Sequence, residues 1–478
     1  MNQDFANIPS HPVRTVGDML RILQPRAYQA DAKRPVSEFK TDSRLVGEGD
    51  VFVAIKGERA DGHDFLDQAR SRGAAACLVS DEARVKDPGR CVWVEDTVGA
   101  LGRLAASHRR AMPAKLIAVT GSVGKTTTKE LLYAILASAF RCRKSAGNYN
   151  STIGLPMELL KLKSEDEWFV AEMGMSTPGE IARLMQIAQP DVGLWTCVKP
   201  VHLANFGSID EIAHAKAEMV RNLEPGKIMV YNRDDPMVHQ HCKSYSGRRF
   251  AYALLHPEAD IRARVKPFTG WQGTAFELRI SESARQPLLL PLVGRYNVAN
   301  ALAACAAALA VDFPPAELVN GLRAFKPARH RSNLFQFEGG ISLVDDTYNA
   351  SPHAVQQVLR TFAMLPPEGY RWIILGDMLE LGQIEESVHR KLGSRLAQQG
   401  FDRITLVGGL SRFTYEALVA AEPEGCEVEH FDDVDAAITH LKLNLPPKSR
   451  VWCKASRGIH LERLVTAIVA HIESEKSA

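Results

Sequence analysis

The residues best suited to chemistry form a glycine-containing turn, TGSVGKTT, at positions 120–127. A glycine-rich turn between a strand and a helix points backbone N–H groups at phosphate oxygens, and the helix N-terminus adds a positive field. Lys125 can reach the β- and γ-phosphates of a nucleotide, and the Thr126 hydroxyl can be a ligand of Mg²⁺. The turn predicts an ATP-binding loop, whose residues are Gly121, Ser122, Val123, Gly124, Lys125, Thr126 and Thr127.

This loop differs from the general phosphate-loop pattern, G-x-x-x-x-G-K-[ST], in the position of its first glycine. Val119 stands where that pattern has a glycine, and Gly121 follows two residues later. The alternative is a chance glycine turn beside a lysine. The strand-like and helical runs on either side of the turn argue against that alternative.

Three other polar residues come later in the chain. Glu172 ends the next strand-like run, and a parallel sheet would bring it to the edge that holds the loop, where a carboxylate suits Mg²⁺. A carboxylate at a strand end is more often simply solvated. His202 and Lys216 carry no chemistry by spacing alone: a lone histidine is more often structural, and Lys216 lies on a helical run that would make it a surface charge.

The elements that must position these residues alternate between strand and helix. Strand-like runs occur at 116–120, 168–173, 191–196 and 227–232, and a helical run follows the loop at 128–140. Such alternation favours a mainly parallel sheet that is covered on both faces. The alanine-rich run 297–311 predicts a buried helix.

Two further units flank this central one. The first has strand-like runs at 51–55 and 73–79 and a helix at 101–111, and it ends at the hinge-like Met112–Pro113. The last has strand-like runs at 341–346, 372–377, 404–408 and 451–455, with Ser351 and Pro352 opening a helix. We therefore predict an α/β fold with domains at 1–112, 113–326 and 327–478, the last one doubly wound and Rossmann-like.

Composition excludes several classes of function. The 478 residues carry 58 basic and 56 acidic side chains, and a net charge of +2 predicts no nucleic-acid or anionic-membrane partner. No apolar run approaches the length of a membrane helix, and the N-terminus shows no signal-peptide pattern. The eight cysteines form no CxxC pair, which predicts reduced thiols and a cytoplasmic location.

Together these segments resemble the Mur ligases, the ATP-dependent amide-forming enzymes of peptidoglycan precursor synthesis. The resemblance covers nearly the whole chain and rests on motifs that extend well beyond the loop. They are GNYN at 147–150, IGLP at 153–156, EMG at 172–174, HL at 202–203, FGS at 206–208, AKAE at 215–218, GRYNVANA at 294–301, DDTYNASP at 345–352 and KASR at 454–457.

Two segments resemble the family member that adds the D-alanyl-D-alanine dipeptide. They are LGDMLELG at 375–382, followed by His389, and the DDTYNA form itself. The N-terminal segments TDSR at 41–44, GDVF at 49–52 and ADGH at 60–63 resemble the uridine-binding domain of the members that accept a peptide stem. The implied substrates are UDP-N-acetylmuramoyl-tripeptide and D-alanyl-D-alanine, and a monomer is expected.

The resemblance also implies roles for individual residues. ATP and two Mg²⁺ ions are expected, with the loop holding the phosphates, Lys125 neutralising the transferred group, and Lys216 carbamylated. The implied metal ligands are Thr126, Glu172 and His202, and His202 and Lys216 count with Lys125 as catalytic. The implied contacts are Asn297 and Asn300 to adenine, Arg329 to the phosphates, Asp346 to ribose, Thr41, Asp42, Ser43 and Arg44 to the uridine nucleotide, and Tyr348, Asn349 and Ser456 to the dipeptide.

One departure from the family pattern and two alternatives remain. The segment 196–201 usually reads closer to T-N-x-G-x-A, and Lys199 here adds a charge near the expected metal site. The first alternative function is that of another amino-acid-adding Mur ligase or a folylpolyglutamate-type ligase, which would use a different acceptor amine. The second is a nucleotide-dependent switch, which would hydrolyse ATP equally well without the UDP-linked substrate.

Overall fold

The computed structural model describes residue 5 and residues 8–57, 60–201, 205–268, 270–280, 285–365 and 368–475. Its strands are β1 (Ala27–Tyr28), β2 (Phe39–Lys40), β3 (Val51–Val53), β4 (Ala76–Val79), β5 (Cys91–Trp93), β6 (Lys115–Thr120), β7 (Cys142–Lys144), β8 (Trp168–Glu172), β9 (Val192–Trp195), β10 (Ile228–Asn232), β11 (Arg248–Ala253), β12 (Ile261–Val265), β13 (Thr274–Ile280), β14 (Gln286–Leu290), β15 (Asn333–Gln336), β16 (Ser342–Asp346), β17 (Arg371–Gly376), β18 (Arg403–Val407), β19 (Glu427–Phe431) and β20 (Arg450–Lys454).

The α-helices surround three sheets formed by these strands. They are α1 (Val16–Leu23), α2 (Leu66–Ser71), α3 (Thr97–Ala111), α4 (Lys125–Ala137), α5 (Gly154–Leu159), α6 (Glu180–Ala188), α7 (Ile209–Lys216), α8 (Glu218–Asn222), α9 (Pro236–Cys242), α10 (Arg295–Ala310), α11 (Leu318–Ala324), α12 (Pro352–Met364), α13 (Glu385–Leu396), α14 (Ser411–Val419), α15 (Val434–His440) and α16 (Glu462–Glu475). None of the helices in the described part of the chain is both long and apolar enough to cross a membrane.

The central sheet has the order β14-β13-β12-β11-β10-β9-β6-β8-β7. Strands β7 to β12 pair in parallel, as the alternation of strands and helices predicts, and β6 lies between β8 and β9. The loop after β6 therefore lies beside the ends of both neighbouring strands. The alanine-rich helix α10 packs against α4, and its alanines at 301, 303, 304 and 306–308 are fully buried.

At the far edge of this mainly parallel sheet, β13 pairs antiparallel with both β12 and β14. The three strands are consecutive along the chain. Strand β13 alternates buried and half-exposed residues, which is typical of an antiparallel strand with one face toward the core.

The first and last sheets have the orders β1-β5-β4-β3-β2 and β15-β16-β20-β17-β18-β19. In each, one edge strand is antiparallel and the others are parallel. The three-domain α/β class is confirmed, whereas the exact limits at residues 112 and 326 stay predictions.

Contacts between the units include the following two. Arg109, near the end of α3, donates to the Ala188 carbonyl of the central unit at 3.1 Å and approaches Asp191 at 3.4 Å. Trp271, in the loop before β13, packs against Phe362 and Trp452 of the last unit, with ring centroids 5.3 and 5.5 Å away. An aromatic contact thus joins the central and last units.

Candidate active site

The predicted phosphate loop lies between the end of β6 and the start of α4. Gly121 has φ +147°, and a Cβ atom there would lie 1.9 Å from Thr196 Oγ1 at the end of β9. Val119, by contrast, lies within β6 and is fully buried. The displaced glycine is therefore a steric requirement of this loop, whose backbone presses directly on the neighbouring strand.

Two side chains fix the loop on that neighbour. The Thr196 hydroxyl donates to the Val123 carbonyl at 2.7 Å. The Ser122 hydroxyl donates to the Lys199 carbonyl at 3.0 Å and accepts from the Lys199 N–H at 2.9 Å. The segment 196–199 is consequently the floor on which the loop rests.

Lys125 points back into the loop, where its ammonium donates to the Gly121 carbonyl at 2.8 Å. Burial lowers its pKa, and the nearby Arg331 guanidinium lowers it further, whereas Glu172 opposes the shift. Two cations held together at a helix N-terminus form a strongly positive site. A bound polyphosphate would relieve this repulsion.

Glu172 ends β8 beside the loop, as the sequence predicts, and is 3% exposed. Its Oε2 accepts from the Thr126 hydroxyl at 2.9 Å, and its Oε1 accepts from the Asn150 amide at 2.8 Å. Within the described residues, no cluster of three or more His, Cys, Asp or Glu side chains could hold a metal alone. One carboxylate beside one hydroxyl fits Mg²⁺ well, because this ion usually keeps phosphate and water ligands.

The opposite wall of the cleft comes from the last unit. The Arg331 guanidinium lies 3.5 Å from Thr126 Oγ1 and 4.1 Å from the centroid of the Tyr348 ring. Asp346 pairs with Lys454 at 2.6 Å, and Lys454 also donates to the Asn349 carbonyl at 2.9 Å. Charged groups from two units therefore meet within reach of the same phosphate loop.

The space enclosed between these walls has a volume of about 700 Å³. Asn297 and Asn300, which follow one turn apart on α10, line it from the central unit. A Cβ atom at Gly124, where φ is +85°, would lie 2.3 Å from Asn300 Oδ1. Glycine at this second loop position thus lets α10 approach the loop closely enough to share its ligand.

Three family models match successive parts of the chain. They are described as Mur ligase family, catalytic domain, at residues 35–109, Mur ligase middle domain at 119–308, and Mur ligase, glutamate ligase domain at 330–457. The chain belongs to the Mur ligase family. The resemblance drawn from the motifs is thereby confirmed.

Similar proteins include two curated Mur ligases, both named UDP-N-acetylmuramoyl-tripeptide–D-alanyl-D-alanine ligase. The one from Escherichia coli is 36% identical over 95% of this chain and 98% of its own. The one from Bacillus subtilis is 33% identical over 90% of this chain and 92% of its own.

Solved Mur ligase structures agree with the fold. MurF from Acinetobacter baumannii superposes with a TM-score of 0.83 at 29% identity, covering 96% of this chain and 99% of the other. MurF from Thermotoga maritima, solved in complex with ADP, gives 0.79 at 29% identity, with coverages of 92% and 99%.

Lys216 ends α7 of this Mur ligase and is 1% exposed, so it is not the surface charge that its helical run would suggest. Burial places its pKa well below the ordinary lysine value, and the nearby Lys125 ammonium lowers it further. Such a lysine carries a neutral, nucleophilic amine over a wider pH range than a solvated one. His202 lies outside the described residues, so its predicted role stays a prediction.

The structure brings Arg331 to the phosphate loop, whereas the predicted phosphate contact was Arg329. Arg329 is exposed and does not line the cleft. Arg331 was missed because the segment between α11 and β15 has no periodicity from which to read the direction of a side chain. The sequence signal that could have pointed to Arg331 is Tyr348 of the DDTYNA motif, because the guanidinium lies over that ring.

Three predicted dipeptide contacts, Tyr348, Asn349 and Ser456, line the last unit's side of the cleft. The Ser456 hydroxyl is already engaged, because it accepts from the Leu379 N–H at 3.0 Å and donates to the Ala350 carbonyl at 3.2 Å. Ser456 therefore joins three loops at this wall.

The LGDMLELG segment follows β17 and is held in place by buried polar groups. Asp377 accepts from the N–H groups of Leu410 and Ser411 at 3.1 and 2.7 Å. His389 Nε2 accepts from the Met378 N–H at 3.2 Å. These contacts aim Leu379 and Glu380 into the cleft, which both of them line.

The predicted uridine contacts, Thr41, Asp42, Ser43 and Arg44, lie in the first unit and do not line the cleft. Arg44 forms an ion pair with Asp42 at 2.7 Å, and this contact lowers the pKa of that carboxyl to about 2. Ser43 donates to Gln68 at 2.6 Å. Any uridine site here is separate from the phosphate loop, as a long substrate that reaches across two domains requires.

Lys199, the departure noted in the sequence, does line the cleft. Its ammonium pairs with the buried Asp235 at 3.2 Å. Asp235 also accepts from the Val198 N–H at 3.0 Å and caps α9. Asp235 thus neutralises the extra charge of Lys199 and also holds the segment 196–199, on which the phosphate loop rests.

Proposed function

We propose that this Mur ligase joins D-alanyl-D-alanine to the tripeptide end of UDP-N-acetylmuramoyl-tripeptide, using ATP and releasing ADP and phosphate. The observation that carries the proposal is the cleft itself, where the loop around Lys125 faces Arg331 and Tyr348 of the last unit. The named relatives and the ADP complex of the Thermotoga maritima structure support the substrates and the nucleotide.

The chemistry requires the substrate carboxylate to become a better acylating group. A carboxylate oxygen attacks the γ-phosphorus, and the bond to the β-phosphate oxygen breaks to give ADP and an acyl phosphate. The dipeptide amine then attacks the acyl carbon, phosphate leaves, and the ammonium proton passes to solvent. Both steps place negative charge on oxygens, so fixed cations lower both barriers.

The residues present can hold the reacting groups in this order. Lys125 and Arg331 approach the phosphates from opposite sides of the cleft. Thr126 and Glu172 would hold Mg²⁺, which would supply charge neutralisation at the phosphates. Asn297, Asn300 and Asp346 are placed for the adenosine part, as the family resemblance implies.

A second Mg²⁺ and a carbamylated Lys216 complete the proposal. A neutral lysine amine attacks carbon dioxide to form a C–N bond, and one N–H proton passes to solvent. The carbamate that results carries a negative charge, where an ammonium would carry a positive one. The burial of Lys216 and its lowered pKa favour the neutral amine that this reaction needs. His202, which lies outside the described residues, would supply an imidazole ligand to that second ion. We also expect the enzyme to act as a monomer.

The test is phosphate release in a single turnover, with UDP-N-acetylmuramoyl-tripeptide and each of several amines: D-Ala-D-Ala, meso-diaminopimelate, L-Lys and glutamate. Only the dipeptide should give one phosphate and one amide product per enzyme. Faster release with another amine, or ATP hydrolysis that ignores the UDP-linked substrate, would contradict the proposal.

Lys125→Ala is the matched negative control for this assay. Without the ammonium, the γ-phosphate loses its loop cation, so turnover should fall by at least about 100-fold. The far-UV circular dichroism spectrum should stay unchanged, since the Lys125 ammonium donates to carbonyls of its own loop, those of Gly121 and Ser122.

A further inference from the structure

Lys129 is a lysine with no exposed surface, one helical turn beyond Lys125 on α4. Its ammonium donates to the Ser145 carbonyl at 2.8 Å and to the Gly147 carbonyl at 3.1 Å. A buried cation is costly unless it is fully paired, and these contacts offset that cost. Both carbonyls belong to the segment between β7 and α5.

Two carboxylates complete the surroundings of this ammonium. Glu130 Oε1 lies 3.4 Å away, and Glu172 Oε2 lies 3.9 Å away. Glu172 is the carboxylate that accepts from Thr126 and is suited to Mg²⁺. Lys129 therefore lies directly behind the proposed metal ligand, on the side away from the cleft.

The carbonyls that Lys129 binds open the segment 145–150. Ser145 also accepts from the Glu172 N–H through its hydroxyl at 3.1 Å. Further along the segment, Asn148 and Asn150 line the cleft, and Asn150 donates to Glu172 at 2.8 Å. One ammonium thus fixes both the backbone that carries Asn150 and the carboxylate that Asn150 contacts.

We propose that Lys129 is a positioning residue, whose buried ammonium holds Glu172 and segment 145–150 in the geometry that binds the metal–nucleotide pair. The inference rests on the phosphate site proposed above, but it is independent of the acceptor substrate, because ADP and a metal ion suffice to test it. A merely structural lysine would change stability and leave metal binding alone.

Lys144 provides a matched control. It too pairs with Glu130, and its ammonium lies 4.2 Å from the Tyr133 ring centroid. Its side chain is 32% exposed, and within the described residues its ammonium pairs with Glu130 and not with Glu172 or the segment carbonyls. Lys144→Met therefore removes a cation from the same network without touching the proposed positioning contacts.

The experiment measures Mn²⁺ binding to the full-length protein in the presence of ADP, by electron paramagnetic resonance. For Lys129→Met the dissociation constant of Mn²⁺ should rise about 10-fold or more, as is usual when a group that supports a metal ligand is lost. For Lys144→Met it should change less than about twofold. Unchanged or tighter binding in Lys129→Met would overturn the proposal, since it would show that the ammonium only repels the metal.

A second measurement needs no variant and guards against misfolding of Lys129→Met. If Lys129 pre-forms the segment, the amides of Ser145 and Ala146, which donate to the Val170 carbonyl and to Glu158, should exchange slowly with deuterium in the wild-type protein before nucleotide is added. Addition of Mn²⁺ and ADP should then slow that exchange by less than about threefold. Fast exchange that becomes slow only with ADP and Mn²⁺ would overturn the proposal. Failure of the D-Ala-D-Ala reaction, by contrast, would leave both measurements unaffected.

Discussion

Replacement of Arg331 by methionine is the sharpest test of how the cleft works. The guanidinium crosses from the last unit to within 3.5 Å of Thr126 Oγ1, and the Tyr348 ring supports it at 4.1 Å. Methionine retains most of the apolar stem but removes the charge and every donor. If Arg331 stabilises charge on the transferred phosphoryl group, its loss should lower turnover, while the fold should remain intact.

The magnitude follows from the geometry. Removal of one preorganised donor from a developing oxyanion typically costs about 10²–10³ in kcat. The 3.5 Å separation from Thr126 is long for a hydrogen bond, so we take the lower limit. A 100-fold loss corresponds to ~2.7 kcal/mol of transition-state stabilisation.

The assay is coupled detection of ADP at saturating UDP-N-acetylmuramoyl-tripeptide and D-Ala-D-Ala, with ATP binding measured separately. Arg329→Met is the matched control, because Arg329 is a nearby arginine that is exposed and outside the cleft. We expect Arg329→Met to stay within about threefold of wild type. The reasoning is refuted if Arg331→Met retains near-normal turnover, or if Arg329→Met loses as much as Arg331→Met.

Three other predictions concern charge and protonation. If Lys216 is carbamylated, removal of dissolved carbon dioxide should lower activity and added bicarbonate should restore it. With ¹³C-bicarbonate, the wild-type protein should give a carbamate NMR signal that Lys216→Gln lacks. Full activity without carbon dioxide would contradict this prediction. Burial, aided by the charge of Lys199, lowers the pKa of His353 from 6.5 to about 4. Between these two pH values the unfolded state binds more protons than the folded state. The free energy of unfolding should therefore rise with pH from about 4 to 6.5. His353→Gln should flatten this rise in thermal melts, and an unchanged slope would count against the buried neutral imidazole. Arg457 lines the dipeptide side of the cleft, where it could bind the C-terminal carboxylate of D-Ala-D-Ala. Arg457→Gln should then raise the KM for D-Ala-D-Ala at least about 10-fold and leave the KM for the C-terminal amide of the dipeptide nearly unchanged. An equal effect on both KM values would exclude a contact between Arg457 and the carboxylate.

The part of the site built on regular structure was predictable from the sequence. Apolar runs with turn signals between them located β6, β8 and β9, and parallel pairing then required Glu172 to reach the loop after Thr120. Likewise, Ser351 and Pro352 predicted the start of α12, and the Ser351 hydroxyl accepts from the Ala354 N–H there. In both cases the spacing along the chain determines the position in space.

Residues in irregular segments, or in strands with a weak apolar pattern, were not predictable in this way. Arg331 leaves an irregular segment and finds its place by stacking on Tyr348, which is seventeen positions away. The antiparallel strands β12 to β14 were also missed, because their short alternating runs carry less apolar signal than the buried parallel ones. Lys129 lay within reach of prediction, since a residue four positions after Lys125 shares its helix face.

The polar groups of the cleft are already engaged with one another, and this determines what ligand binding must accomplish. Lys125 donates to a loop carbonyl, and Asp346 pairs with Lys454. For a phosphate to bind Lys125, or a ribose to bind Asp346, these internal contacts must be shared or exchanged, so the net gain per contact is smaller than its strength in isolation. Arg331 has less to give up, because its contact with Thr126 Oγ1 across the cleft is 3.5 Å long. The selectivity of the cleft for a phosphorylated ligand should therefore depend most on the contacts that cross between the central and last units.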